Sequence, residues 1–368
     1  MRATILLLSL GLTGCPKPDP NQDDTEPPDD TEGTDDTDAP DDTDTTGPSP
    51  CATPTVTYEI EGGGTQDLTT MFQTGDYVTL ALPGTLEVCP GTWYTHVLVR
   101  ADVTIEGLGD TPAETILSGG LSGTIVDVKG PAVTATVRNL TFDRGAGLDK
   151  DHNSGGGGIY CEQEGGVVVS DAVFTHNEAN DGPGMYTNGC TVSVTDAEFF
   201  DNASEDDGGA ITLWTSTASF ERVEVHDNSS LDGGGMAVFS STITASDLTI
   251  ADNTANGFAG GIWLYDSTLS LTDGVFSGNT DEGGVYAGGL LVYGSATLTR
   301  VSFADNSGPL GGGLFVYYEG VVQGTSCEFG DNSPEDVFAS DGTPEGGKSY
   351  DLEGETSFTC QDSACEFE

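Results

Sequence analysis

A repeat of about 26 residues is the feature that most limits what this chain can fold into. The pattern Phe-x-x-Asn, with valine or isoleucine sometimes replacing phenylalanine, recurs at intervals of 25 to 27 residues. Its asparagines are Asn177, Asn202, Asn228, Asn253, Asn279, Asn306 and Asn332. A glycine cluster before an apolar residue recurs with the same period, as at Gly261 and Ile262. A fixed period of this length is typical of solenoids and propellers.

The stretch from Phe258 to Asn279 shows how one repeat is built. Three short segments follow one another, and the apolar or small residues of each lie two apart, as on one face of a β-strand. These pairs are Ile262 with Leu264, Leu269 with Leu271, and Gly274 with Phe276. A tight corner is predicted at Thr272–Asp273. Three strands in about 26 residues are too few for a propeller blade and fit one coil of a parallel β-helix, with the asparagines stacked as a ladder.

The repeat resembles that of the chlamydial polymorphic outer-membrane proteins. Their paired signatures are GGAI and FxxN, and this chain contains Gly208-Gly209-Ala210-Ile211 together with FTHN, FFDN, FSGN, FADN and FGDN. More broadly, the pattern is similar to the right-handed parallel β-helix, or pectin-lyase-like, class. The resemblance implies an all-β, right-handed solenoid with three short strands per coil.

The first 50 residues differ in composition from the rest. An apolar run over 5–12, too short to cross a bilayer, ends in Leu12-Thr13-Gly14-Cys15, which resembles the lipobox of bacterial lipoproteins. We therefore predict a lipoprotein signal peptide over 1–15, with Cys15 as the lipidated residue. Residues 16–50, rich in aspartate, threonine and proline, are predicted to be a disordered acidic tether. The β-helix domain then spans 51–368, with regular coils over about 142–332 and irregular caps at both ends.

The charge balance limits the possible partners. The 368 residues include 10 lysines and arginines against 61 aspartates and glutamates, a net charge of −51. Nucleic acid is excluded as a partner because no basic surface exists to meet phosphate groups. The expected partners are the membrane, through the lipid anchor, and a polysaccharide or surface protein. We expect a monomer anchored in the cell outer membrane and exposed at the cell surface.

The cysteines suggest three bridges, because export to an oxidising compartment permits disulfides. Spacing favours the pairs Cys51–Cys89, Cys161–Cys190 and Cys360–Cys365, although connectivity cannot be read from sequence alone. Cys327 falls at an inward strand position and is predicted to be a small buried core residue.

Two sets of acidic residues are candidate calcium ligands. Asp149, Asp151 and Asn153 offer oxygen atoms at alternate positions, as at the start of a calcium loop. Asp201, Asp227 and Asp252 each precede a ladder asparagine, so stacking would bring like charges about 5 Å apart. The alternative for both sets is hydrated surface charge screened by salt. No cofactor is firmly predicted.

An external aromatic stripe is the candidate ligand-binding surface. If Ile262 and Leu264 point inward, Trp263 and Tyr265 must point outward. The same register places other large residues outside, with Leu291 among them and Trp214 and Phe239 nearby. The candidate ligand-binding residues are Tyr160, Tyr186, Trp263, Tyr265, Tyr293, Phe315 and Tyr317. Aromatic faces beside carboxylates suit neutral sugars, whereas the alternative is ring stacking that only supports the sheet.

The leading functional hypothesis is a cell-surface lipoprotein whose β-helix is a binding or adhesion module for a glycan or a partner protein. The first alternative is a carbohydrate-active enzyme, either a polysaccharide lyase or a glycoside hydrolase, because such enzymes resemble this fold. That alternative predicts converging acids in a groove beside a cation site, and the sequence offers no catalytic residue for it. The second alternative is a purely structural surface protein, which predicts that a loop or the tether buries the aromatic stripe.

Overall fold

The structure is a computed structural model that describes residues 51–147, 155–284, 286–342, 346–352, 354–361 and 364–367. The predicted signal peptide with Cys15 and the predicted tether lie outside the described residues. The same is true of the candidate calcium ligands Asp149, Asp151 and Asn153. Within the described ranges, no helix has the length and apolar character that crossing a bilayer requires.

Strands make up most of the regular structure. The N-terminal part contains β1 (Val56–Ile60), β2 (Thr65–Asp67), α1 (Thr69–Thr74), β3 (Tyr77–Leu80), β4 (Gly84–Val88), β5 (Gly91–Tyr94), β6 (His96–Val99), β7 (Val103–Gly107), a short 3-10 helix (Pro112–Glu114), β8 (Thr115–Ser118), β9 (Val126–Lys129) and β10 (Thr134–Asp143).

The repeated coils and the C-terminal end follow. Their strands are β11 (Ile159–Glu162), β12 (Gly166–Thr175), β13 (Glu178–Ala179), β14 (Met185–Asn188), β15 (Thr191–Phe200), β16 (Ala203–Ser204), β17 (Ile211–Trp214), β18 (Thr217–His226), β19 (Ser229–Ser230), β20 (Met236–Phe239), β21 (Thr242–Ala251), β22 (Thr254–Ala255), β23 (Ile262–Ser277), β24 (Thr280–Asp281), β25 (Leu290–Ala304), β26 (Leu314–Val316), β27 (Val321–Gly330), β28 (Val337–Ser340), β29 (Gly347–Tyr350), β30 (Gly354–Gln361) and β31 (Ala364–Phe367).

Long parallel ladders stack these strands into a solenoid. One ladder joins β3, β6, β9, β11, β14, β17, β20, the start of β23, the start of β25, β26 and β28. A second joins β4, β7, β10, β12, β15, β18, β21, the later parts of β23 and β25, and β27. Each residue pairs with the residue one repeat onward, which confirms the predicted all-β right-handed parallel β-helix with about 26 residues per coil.

The predicted second and third strands of each coil run together in the repeats as one bent strand. In the N-terminal coils they remain separate, as β4 and β5 or β7 and β8. From β10 onward, a single residue in the left-handed backbone region makes the bend, and the aspartate of the predicted Thr272–Asp273 corner is one of these residues. The bend residues from β10 to β27 are Asn139, Asp171, Asp196, Arg222, Asp247, Asp273, Arg300 and Ser326. Aspartate tolerates this backbone region better than most residues, which explains its frequency at the corner.

The interior contains the predicted asparagine ladder. The Asn253 side-chain amide donates to Asn279 Oδ1 at 3.0 Å, while Asn253 Oδ1 accepts from the amide of Asn228 at 3.0 Å. The same link repeats from Asn177 to Asn332. Beside the ladder, aromatic rings stack from coil to coil, as in Phe174 and Phe199 with centroids 4.3 Å apart. The two stacks explain why phenylalanine and asparagine occur together in the repeat.

Caps and disulfides close the solenoid. Helix α1 buries Phe72 completely at the N-terminal end, and at the other end β27 pairs antiparallel with β30. Such caps prevent the exposed edges of a sheet from pairing with other chains. The disulfides are Cys51–Cys89, Cys161–Cys190 and Cys360–Cys365, the pairs that the spacing favoured. Cys327 is a buried free thiol whose pKa is raised by burial.

Candidate binding site

Two columns of outward side chains run along the first ladder. In one column, Tyr160 and Tyr186 are followed by Thr212 and Ala237, and the aromatic character resumes only at Trp263. The neighbouring column contains Trp214, Phe239, Tyr265 and Tyr293 in consecutive coils. The predicted stripe is therefore divided into a Tyr160–Tyr186 pair and a separate patch that begins at Trp214.

Part of the predicted stripe is not exposed. Phe315 and Leu291 point away from the coil interior, yet only 1% and 2% of their surfaces remain accessible. The prediction that they lie on the outside was wrong because loops fold back over them. Together with Ala259, Ala287 and Phe338 they form a second hydrophobic cluster, separate from the coil core. The tyrosines and Trp263 at its margin remain partly accessible.

Two aromatic residues of these covering loops were missed by the sequence reasoning. Phe258 precedes β23, and Tyr286 lies in the loop before β25. Both pack against the second cluster. A signal was available, because the segment between Asn279 and Leu290 is longer than the equivalent segment between Asn228 and Met236. The extra length lets the loop return over the outer face of the coil.

The loops and strands together form an aromatic pocket of about 340 Å³, a size within the usual range for small-molecule sites. Its lining residues are Phe258, Trp263, Tyr265, Tyr286, Leu291, Tyr293 and Tyr317. We use the name aromatic pocket for this set. Four of the seven sequence-predicted binding residues line it, namely Trp263, Tyr265, Tyr293 and Tyr317, while Phe315 lies buried beneath it.

The rings of the pocket meet at several angles. Phe258 stacks on Trp263 with centroids 4.4 Å apart and on Tyr286 at 4.9 Å, nearly parallel in both cases. Tyr293 meets Tyr317 edge-on at 5.3 Å, with 81° between the ring planes. Both ring faces and ring edges are therefore presented within one small space. Contacts of this kind hold each ring in place before any ligand arrives.

Three carboxylates influence residues or loops of the pocket. Negative charge on Glu319, together with Asp266 nearby, raises the pKa of Tyr293. Asp281 accepts a hydrogen bond from the backbone N–H of Gly284 at 2.9 Å, and burial raises the pKa of its carboxyl to about 6. Burial also raises the pKa of Tyr286, so its phenol is neutral at physiological pH. Neutral phenols can both donate and accept hydrogen bonds.

The Tyr160–Tyr186 pair is a different arrangement. The two rings stack at 5.3 Å, and the Tyr160 hydroxyl donates to Glu162 Oε2 at 3.0 Å. Lys129 lies 5.7 Å from the centre of the Tyr160 ring and pairs with Asp127 at 3.1 Å. Glu162 therefore already occupies the hydroxyl of Tyr160. The arrangement fits the alternative of stacking that supports the sheet.

The candidate calcium ligands Asp201, Asp227 and Asp252 lie exposed at left-handed turns just before the ladder asparagines. Among the described residues, closely spaced ligand atoms occur instead in two other groups, Glu198 with Glu224 and His226, and Asp206 with Asp207 and Asp232. The sequence reasoning did not single these out as metal ligands, since they converge from different coils.

An acidic groove lies on the face formed by the bent strands. Its lining includes Asp196, Glu198, Arg222 and Glu224. Arg222 donates two hydrogen bonds to Asp196, at 2.6 and 2.9 Å, and another to Glu221. These carboxylates raise the pKa of the guanidinium further, so Arg222 is held protonated and is unsuited to act as a base.

One family model agrees with this architecture. Residues 125–307 match the family model for the right-handed β-helix region. The crystal structure of PfbA, a surface adhesin of Streptococcus pneumoniae, is similar with a TM-score of 0.32 and 10% identity, over 81% of this chain and 91% of that chain. No curated protein matches the sequence significantly. The ladders place the chain among the parallel-strand solenoids. Within that class, its fold is the right-handed parallel β-helix.

Proposed function

We propose that the chain is a lipid-anchored binding module of the bacterial cell surface that holds a polysaccharide in the aromatic pocket. The observation that carries the proposal is the pocket itself. Strand residues from consecutive coils and two loop residues converge on one cavity of about 340 Å³. Fold alone does not define function, so the proposal depends on this site.

The chemistry of the pocket suits a sugar. A sugar ring presents C–H groups that pack against aromatic faces and hydroxyls that need hydrogen-bonding partners. The phenols of Tyr265, Tyr293 and Tyr317, which line the pocket, supply such partners beside the rings. Because neighbouring rings hold one another in place, little ordering cost accompanies binding.

Two features support a location outside the cytoplasm. The segment that ends at Cys15 resembles a signal for export and lipid attachment. The three disulfides are of the kind that persists in oxidising compartments. A lipid anchor would keep the solenoid at the outer membrane, where polysaccharides of the cell or its surroundings are available.

The test is retention of the full chain on a panel of insoluble polysaccharides. We expect Trp263→Ala combined with Tyr293→Ala to weaken retention by about tenfold or more, because two ring contacts are lost. Tyr318→Ala is the matched control, since Tyr318 is 49% exposed and adjacent to Tyr317 but does not line the pocket. Absence of retention on every polymer, with all variants folded by circular dichroism, would overturn the proposal.

The second candidate function is a carbohydrate-active enzyme, and the acidic groove is the observation that supports it. Glu198 and Glu224 lie close together there, and paired carboxylates are the usual apparatus of glycoside hydrolysis. Released sugar measured in the same tubes distinguishes the candidates. Release that is lost in Glu198→Gln but kept in the pocket double variant would favour the enzyme over the binding module.

A further inference from the structure

We propose that the aromatic pocket selects a cationic sugar, an amino sugar with a protonated amine, over the neutral sugar of the same shape. This inference rests on the proposed polysaccharide binding and names the class of sugar. The observations that point to it are the orientation of the rings and the distribution of charge around them.

Several of the rings that line the pocket meet at steep angles. Tyr293 and Tyr317 lie at 81° to each other, and Tyr286 and Tyr317 at 68°. Trp263 and Tyr265 lie at 69°. A positive charge is attracted to the negative face of an aromatic ring, by about 0.5 to 2 kcal/mol per contact. Because several aromatic rings line one cavity, a single ammonium group inside it can contact more than one ring.

The charge around the pocket has one sign. None of the pocket lining residues is a lysine or an arginine. The negative charges of Glu319 and Asp266 raise the pKa of Tyr293, and Asp281 holds the loop of Tyr286 through backbone hydrogen bonds. An acidic sugar would meet repulsion here, while an ammonium group would gain from both the rings and the carboxylates.

The lining also argues for an organic cation rather than a metal ion. Calcium and magnesium require several oxygen ligands at short range, whereas this wall consists mainly of ring carbon. An amino sugar combines the charge with an apolar C–H face, so it satisfies both parts of the pocket. The volume of about 340 Å³ leaves room for a sugar ring.

The experiment compares two oligosaccharides of nearly the same shape that differ at one group, an ammonium in one and a hydroxyl in the other. β-1,4-Linked glucosamine oligomers and β-1,4-linked glucose oligomers of equal length would be titrated calorimetrically into the full chain at about pH 6, where a sugar amine is largely protonated. We expect the glucosamine oligomer to bind about tenfold tighter or more, a preference that falls as salt is added.

The variants separate pocket recognition from general attraction to an acidic protein. Tyr317→Ala and Trp263→Ala keep the net charge and should abolish the preference, while Tyr318→Ala should keep it. Glu319→Gln should reduce it several-fold, whereas Asp110→Asn, which removes one exposed charge at a distant coil, should leave it unchanged. Melting curves identify any variant that fails to fold, and Tyr317→Ala then serves in place of Trp263→Ala.

The possible outcomes are distinct. Equal binding of both oligomers would overturn the cationic preference and leave polysaccharide binding intact. A preference that survives in both ring variants would also overturn it, because the attraction would then belong to the whole acidic surface. Binding of neither oligomer, together with no retention on any polysaccharide, would overturn the proposed function as well. Binding of neither oligomer with retention on another neutral polymer would overturn only the cationic preference.

Discussion

Each buried asparagine of the ladder forms hydrogen bonds with N–H and C=O groups of neighbouring turns. Without it, these groups would be unpaired. Asn253 is fully buried, and its Oδ1 accepts from both the side chain and the backbone N–H of Asn228. Its amide in turn donates to the carbonyl of Val225 at 2.8 Å. Buried polar groups of this kind are stabilising only while every partner is present.

Replacing Asn253 with alanine is therefore expected to lower the free energy of unfolding by about 2 to 4 kcal/mol. The loss arises because the N–H groups of Asn228 and the carbonyl of Val225 become unpaired inside the coil. Urea unfolding followed by circular dichroism measures it. The control is Asp252→Asn at the exposed neighbouring position, where asparagine tolerates the left-handed backbone and a change under about 0.5 kcal/mol is expected. Equal stability of the two variants would contradict the assigned role of the ladder.

The turns before the first-ladder strands stack aspartates on one another. Asp207 pairs in parallel with Asp232, and its backbone N–H donates to Asp181 Oδ1 at 3.2 Å. Burial and the charges of Asp181, Asp206 and Asp232 raise the pKa of Asp207 to about 8. Burial also raises the pKa of Asp232 to about 6. This element of the fold keeps acidic groups where their charged forms are disfavoured.

The stability of the protein is expected to fall as pH rises from about 4 to about 8. In that window the folded state keeps a proton on Asp207 that the unfolded chain has lost, so raising the pH favours unfolding. Asp207→Asn should raise the free energy of unfolding at pH 8 by an amount on the order of 1 kcal/mol, which raises the melting temperature, and should change it little near pH 4.

Glu205→Gln is the matched control for Asp207, because it removes an exposed carboxylate from the same turn. Thermal unfolding at both pH values compares the two variants. A lower melting temperature for Asp207→Asn at pH 8 would contradict this prediction, because it would show that the charged Asp207 carboxylate stabilises the folded state.

At the scale of the whole molecule, the solenoid carries a large excess of one charge. The net charge of −51 is spread over a single chain, and coils repeat the same acidic positions along one axis. Repulsion of this kind keeps a protein soluble and destabilises its compact state. Few basic residues offset it, as in the exposed pairs of Arg222 with Asp196 and Arg300 with Asp273.

Added salt is accordingly expected to raise the melting temperature. A change from about 20 mM to about 300 mM NaCl shortens the screening length several-fold and weakens repulsion between coils. We expect CaCl₂ at matched ionic strength to produce the same rise in melting temperature. If the surface carboxylates are hydrated and bind no ion, only the ionic strength determines the screening. A clearly larger rise with calcium would indicate a coordinated ion and would return Asp201, Asp227 and Asp252 to consideration as ligands.

The sequence by itself determined the coil. The alternation of Ile262 with Leu264, the inward Phe276 and the buried Asn279 are short-range features of the chain, and the period repeats them often enough to define the fold. The corner at Asp273 was also visible, because few residues tolerate its left-handed backbone. Four ligand-binding candidates of the pocket followed from the same alternation.

The tertiary structure alone decided which outward residues meet and which are covered. Phe258 and Tyr286 come from loops of no fixed period, so their return over Leu291 and Phe315 cannot be read from spacing. The sequence alternation already predicts that Thr212 and Ala237 interrupt the first aromatic column. The neighbouring column, which contains Trp214 and Phe239, forms a surface only when the coils stack. Period reflects local geometry, whereas a pocket depends on contacts between segments that are distant in the chain.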